Sequence, residues 1–284
     1  GRQRAVVGAA ARLFEGDGLP RGLHEGQHAC PARLPSDAAA LRLLAEDRNK
    51  LFAEAIDVIL AISQGKAPYD IDLSGNRFKV STATTQNTAI GRGTMYRPYQ
   101  QPRPEIVGTV VAPDSKGVIA MGERDFHPLS ANFLLSKYLP SHWNNYAEGK
   151  QRAGQIAAPE DWRIARTIFV ADDDRTARRY GLEDSASPYR YYWNLLLRKM
   201  LISKRQAIFK THPGQDDREL TTDYMVRQLV ICGSPNKVAD QILALREEAG
   251  LSRLGWFNNH AQLVKTLKNR LLIEDLVAGH PEVL

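Results

Sequence analysis

The sequence predicts an α/β protein assembled from parallel strand–helix units, and three observations carry that expectation. Short apolar runs rich in β-branched residues alternate with stretches of helical periodicity. Helix-start signals stand where those periodic stretches open: Pro140, Pro188 and the Ser234-Pro235 pair. No Gly-x-Gly-x-x-Gly follows a strand and no Walker loop occurs, so the commonest nucleotide sites of open sheets are absent. Parallel strands covered by helices then form either an open sheet or a closed barrel.

The elements follow in order. Residues 1–33 are rich in Gly, Ala, Arg and Pro, with little periodicity, and no site is assigned to them. The run DRNKLFAEAIDVILAISQG puts Leu51, Phe52, Ala55, Ile56, Ile59 and Leu60 on one helical stripe that Gly65 stops. YDIDLSGNRFKVS reads as a hairpin turning at Ser74-Gly75-Asn76. Residues 82–105, with prolines 98, 102 and 104, form a long excursion, the kind that in compact domains carries function or is irregular. Strands are then expected at 106–112, 126–131, 163–171 and 254–257. Helices are expected at 115–124, from Pro140, at 172–181, from Pro188 to about 210, from Pro235 to Gly250, and from Gln262 onward.

With 284 residues, 43% of them hydrophobic and 25% charged, the chain has a globular composition and the length of one large domain or two small ones. It contains no apolar run of about 18 residues, which removes a membrane-spanning helix, and the N-terminus reads as no secretory signal. Cys30 and Cys232 are far apart and match no metal spacing, so a reducing, cytoplasmic setting is expected. The net charge of +6 raises nucleic acid as a partner. No zinc-finger or aromatic RNA-binding signature accompanies the basic residues, and a phosphorylated small molecule fits that charge better.

The stretch VVAPDSKGVIAMGERD changes from strand to helix at Asp114-Ser115-Lys116-Gly117. A helix that follows a strand directly leaves its first N–H groups unpaired at the strand's carboxyl end, which suits an anion. Ser115 can donate its hydroxyl, Lys116 adds positive charge, and Gly117 lets a phosphate approach the backbone; alternatively Asp114 or Ser115 only caps the helix. Ser130 and Asn132 end the next strand, where a barrel would carry its site, or they form a turn that Asn132 caps. Asp172, Asp173 and Asp174 read as a helix cap rather than a metal site, because consecutive residues leaving a strand diverge. His142 and Trp143 read as packing residues, and Asn258, Asn259 and His260 as a turn.

Nine segments in order resemble the bacterial luciferase-like flavin-dependent monooxygenases, in particular the limonene-monooxygenase-like branch. They are LPSDAAAL, RNKLFAEAIDVI, YRPYQQPRPEI, APDSKGV, HPLSANFL, HWNNYAEGKQRAG, WRIARTIFVADDD, SPYRYYW and LVICGSPNKVADQILALREE. The resemblance implies a TIM-type (β/α)8 barrel using reduced FMN supplied by a separate flavin reductase, with O2 and a small organic substrate such as a terpenoid. It also brings a homodimer as an assembly to consider, and places the flavin phosphate at residues 114–117, with 66–105 as the family's long insertion. The assignable strands match the last four of the eight, so a domain over 34–284 lacking the N-terminal strands, with an incomplete flavin site, is the expectation. Rival readings are a deazaflavin-dependent oxidoreductase of the same fold and a non-catalytic fragment.

Overall fold

The computed structural model describes residues 45–95, 97–250 and 255–257, in two compact units that meet in sequence at Pro104 and Glu105. The segment 1–33, Cys30, Asn258, Asn259, His260 and the expected last helix lie outside the described residues. In the first unit, helix α1 (Arg48–Gln64) is capped by Asp47, whose carboxylate accepts the N–H groups of Asn49 and Lys50 at 3.1 Å each. Strands β1 (Asp70–Asp72) and β2 (Lys79–Ser81) pair antiparallel, with Asp70 opposite Ser81. Gly75 supplies the positive φ the turn needs. Val58 and Ile62 of α1 bury themselves with Tyr69 against the hairpin's Ile71, Phe78 and Val80.

The second unit contains the parallel strand–helix units. Its strands are β3 (Val107–Val110), β4 (His127–Ser130), β5 (Arg163–Ala165), β6 (Thr167–Val170), β7 (Val230–Gly233) and β8 (Gly255–Phe257). One parallel sheet runs β3-β4-β5-β8, and β6 pairs in parallel with β7. Among the described residues the strands do not close into a barrel.

Three sequence expectations need correction. Residues 163–171 form two strands rather than one, because the chain breaks at Arg166, before which β5 pairs with β4 and β8 and after which β6 pairs with β7. Strand β7 was not expected: its four residues follow helix α6 (Thr222–Leu229) without a turn, so the apolar run reads as more helix. Helix α5 (Pro188–Ile202) ends eight residues early, where Lys204 takes a positive φ (53°).

The helices α2 (Gly117–Glu123), α3 (Leu139–Arg152), α4 (Asp174–Arg178) and α7 (Pro235–Glu248) complete the unit. Strand β6 is buried on both faces, as parallel strands are. Its Phe169 joins Tyr189, Trp193 and Met225 of α5 and α6, while Ile168 and Val170 pack on Val238 and Ile242 of α7. At the strand starts, Arg163 donates to Glu105 at 2.6 Å, His127 lies against both Glu105 and Asp161, and Lys150 pairs with Asp125. Partial burial pushes the Glu105 carboxyl up, but the hydrogen bonds from Arg163 and His127 outweigh it and hold the group below the usual range. Among the described residues no helix is long and apolar enough to cross a membrane.

Helices α2 and α3 cross at two glycines. A Cβ on Gly149 would stand 2.0 Å from the Ile119 carbonyl oxygen, and one on Gly122 would stand 2.5 Å from that of Tyr146. Both obstacles are backbone, so neither can swing aside. At an exposed helix site Gly→Ala stabilises by about 1 kcal/mol. Here Gly149→Ala is expected to cost about 1–3 kcal/mol through overpacking, measured by urea unfolding.

Candidate functional site

The turn between β3 and α2 is built by two residues of α3. His142 donates from Nε2 to the Ala112 carbonyl at 2.9 Å, and Asn145 donates from Nδ2 to the Ser115 carbonyl at 3.0 Å. Asn145 also accepts from the Lys116 ammonium at 3.4 Å. Three positions apart on one helix, the two side chains share a face and grip both ends of residues 112–116. Inside that grip Asp114 adopts a left-handed φ of 49°, a conformation uncommon outside glycine.

The backbone N–H groups of Lys116 and Gly117 find no acceptor among the described residues, and both residues are exposed. A Cβ added to Gly117 would meet nothing closer than the Ser115 hydroxyl at 3.7 Å. Nothing within the chain requires glycine there; the space stands open beside two free donors and a positive charge. No side chain caps α2, so the alternative in which Asp114 or Ser115 caps the helix does not hold.

His142 itself is fully buried and part of a chain of hydrogen bonds. Trp162 donates from Nε1 to the Ser130 hydroxyl at 2.9 Å, and Ser130 stands 2.8 Å from His142 Nδ1. The Ala112 carbonyl can only accept, so the neutral imidazole carries its proton on Nε2, and Nδ1 accepts from the Ser130 hydroxyl, whose oxygen accepts in turn from the indole. Burial holds the His142 pKa below its ordinary 6.5, against smaller upward pulls from the Ala112 carbonyl and Asp114. Ser130 therefore lies inside the protein with both hydroxyl functions engaged, and His142 is the packing residue the sequence suggested.

Asn132 is buried in a separate polar group. Its amide lies 3.5 Å from both Thr167 Oγ1 and Tyr192 Oη, at the outer limit of a hydrogen bond. Burial raises the Tyr192 pKa while the bond from Asn132 lowers it, leaving the phenol protonated at neutral pH. One residue went unnoticed in the sequence. Arg166, at the break between β5 and β6, is 5% exposed and donates from Nη1 to its neighbour Ala165 at 2.8 Å. Burial pulls its guanidinium down to about 10, with Glu248 opposing at longer range. In the sequence it was one more arginine of a basic segment; a buried charge with one neutral hydrogen-bond partner among the described residues becomes visible only in the fold. Of the aspartate run, Asp173 caps α4 through the Thr176 N–H at 2.8 Å, and Asp174 accepts the Ser234 N–H at 2.7 Å.

Parallel strand–helix units with a hydrogen-bonded polar turn at a strand's carboxyl end place that turn where β/α folds carry their sites. The profile of the luciferase-like monooxygenase family matches residues 37–253, and the chain belongs to that family. A 3,6-diketocamphane 1,6-monooxygenase of Pseudomonas putida is 29% identical over 164 residues, which is 57% of this chain and 41% of that protein. A 2,5-diketocamphane 1,2-monooxygenase of the same organism is 26% identical over 51% of this chain and 40% of its own. The chain thus spans less than half the length of these curated relatives.

Among solved structures, the oxygenating constituent of 3,6-diketocamphane monooxygenase from P. putida, a type II Baeyer-Villiger monooxygenase in complex with FMN, superposes with a TM-score of 0.65. It shares 21% identity, over 80% of this chain and 61% of that one. A monooxygenase from Streptomyces bottropensis superposes with a TM-score of 0.59 at 14% identity, over 88% and 67% of the two chains. These likenesses establish the fold.

Because His142 titrates below its unfolded value, the unfolded chain binds the proton first as pH falls. The stability tied to this residue is complete above pH 6.5 and is lost as pH drops toward the folded value. His142→Gln is expected to lose about 1–3 kcal/mol at pH 7.5 and to flatten that acid decline, as read from urea unfolding across pH.

Proposed function

We propose that this chain forms part of a cytoplasmic flavin-dependent monooxygenase. It uses reduced FMN delivered by a separate reductase, together with dioxygen, to oxygenate a small cyclic, terpenoid-like substrate. Family membership supports the reaction class. FMN in the solved relative supports the cofactor, and the diketocamphane names of the relatives support the substrate class.

The observation that carries the reading is the gripped turn at 114–117, with two uncommitted N–H groups, Lys116 and an open approach at Gly117. Backbone donors in a turn beside a cation suit a phosphate, and these residues fit the FMN phosphate. Bound FMN, once reduced, supplies the activation of dioxygen that side chains lack. The protein's share is positioning. Lys116 neutralises the phosphate, the Lys116 and Gly117 N–H groups orient it, and His142 and Asn145 keep the turn in shape before any ligand arrives. Asn132, Thr167, Tyr192 and Arg166 are the polar groups offered to the ring or the substrate, and the neutral Tyr192 phenol can donate a hydrogen bond.

Anaerobic titration with reduced FMN tests this reading. Lys116→Ala is expected to weaken binding about tenfold to a hundredfold, the effect of losing one charge-assisted contact. Gly117→Ala is expected to leave the urea midpoint unchanged while weakening the same binding, because its Cβ fills only the approach. Admitting oxygen to the bound complex with a bicyclic ketone should then yield oxygenated product. A folded chain that binds no reduced FMN, or binds it equally in both variants, overturns the reading. Preference for a deazaflavin would assign hydride transfer instead.

A further inference from the structure

A second concave site lies away from the gripped turn. A cavity of about 830 Å³ opens between α4, the π-helical turn Arg179–Glu183, α6, β7 and the first turns of α7. Its floor includes Leu182, Val230 and Cys232, and Gln241 stands beside them. Five cations line it, Arg175, Arg178, Arg179, Arg227 and Lys237, with three carboxylates, Asp174, Glu183 and Asp223.

The pairing pattern distinguishes this wall from an ordinary solvated surface. Every lining carboxylate is already engaged: Asp174 with Lys237 at 3.5 Å, Glu183 with Arg178 at 2.7 Å, and Asp223 with Arg190, from outside the cavity, at 2.5 Å. Arg175, Arg179 and Arg227 have no carboxylate within 4 Å among the described residues. Arg175 and Arg227 feel Asp173 and Asp223 only at longer range, and Asp173 is spent capping α4. Arg175 and Arg179 are four positions apart across consecutive helical turns, a like-charge spacing that costs stability rather than adding it. Burial raises the Cys232 thiol to about 11, with Lys237 and Arg178 opposing, so the floor is an uncharged surface at neutral pH.

From this geometry we infer that the cavity binds a small organic anion with an apolar body, a phosphate monoester or a carboxylate of an aromatic or alicyclic molecule. The three uncompensated guanidiniums hold its charged end and Leu182, Val230 and Cys232 its apolar part. Guanidinium forks match the paired oxygens of such groups, and the floor explains why a bare ion would be a poor occupant. This site stands apart from the flavin reading and shares none of its residues.

Calorimetric titration of the full chain with naphthyl phosphate tests the inference, with inorganic pyrophosphate and naphthol as probes of charge alone and body alone. Naphthyl phosphate is expected to bind saturably, and about tenfold more tightly than either control, since each control lacks one half of the recognition. Arg175→Gln, Arg179→Gln and Arg227→Gln should each weaken it about fivefold or more, and the triple variant should abolish it. Binding should fall as salt rises from about 0.02 to 0.3 M. Lys116→Ala should leave it unchanged, which separates this site from the flavin turn. No saturable binding, retention by a folded triple variant, loss in Lys116→Ala, or pyrophosphate binding as tightly as naphthyl phosphate would each overturn the assignment.

Discussion

The buried imidazole of His142 is the constraint on which the rest of the second unit depends. It sits where the carboxyl ends of β3 and β4, the residue before β5 and helix α3 meet. The Ala112 carbonyl can only accept, so the neutral imidazole carries its proton on the side that faces Ala112, and its other nitrogen accepts from Ser130, which accepts from Trp162. A polar group this deep is costly unless every partner is in place. The cost of any misplacement holds β3, β4, the segment before β5, and α3 in one relative position. One turn along α3, Asn145 extends the same hold to the Ser115 carbonyl. The shape of the 114–117 turn is thus a consequence of interior hydrogen bonding, and its exposed donors arrive in position without help from a ligand.

The two ends of the parallel sheet use different chemistry. At the strand starts, charged groups carry the order: Glu105 with Arg163 and His127, and Asp125 with Lys150. Such pairs tolerate partial exposure, because solvent supports whichever charge loses its partner. Around the carboxyl ends of β3 and β4 the order is carried by buried neutral groups, the hydroxyl of Ser130, the imidazole of His142 and the indole that Trp162 brings from just before β5. Lys116 stands at that end, beside the free N–H groups of residues 116 and 117. That is a sound electrostatic setting for an anionic ligand.

Much of this was legible from residue order. The helix stripe of α1, the hairpin turn at Gly75, the proline starts of α3, α5 and α7, and the strand–turn–helix at 110–117 are all local. Each depends on neighbours within a few positions, where propensity and periodicity act. The misses have physical causes of the opposite kind. Strand β7 was hidden because it leaves α6 without a turn, and only pairing with β6 makes four apolar residues a strand. The break at Arg166 arises because one extended segment serves two sets of partners, a fact of sheet assembly absent from its composition. Ser130 was legible as a strand-end site candidate, but its burial against Trp162, from 32 positions away, was not.

By itself, then, the sequence determined the class of fold, the order of most of its units, and where a strand would feed directly into a helix beside a lysine. Those properties follow from short-range sterics and hydrogen bonding. Tertiary structure decided which polar residues were structural and which were left available. That choice rests on burial and on partners brought from distant positions: His142 and Ser130 satisfied inside, the backbone N–H groups of Lys116 and Gly117 uncommitted outside, and three arginines from three helical elements gathered around one cavity with their neighbouring acids already paired. Satisfaction of a polar group is a property of its whole surroundings, and no local pattern encodes it.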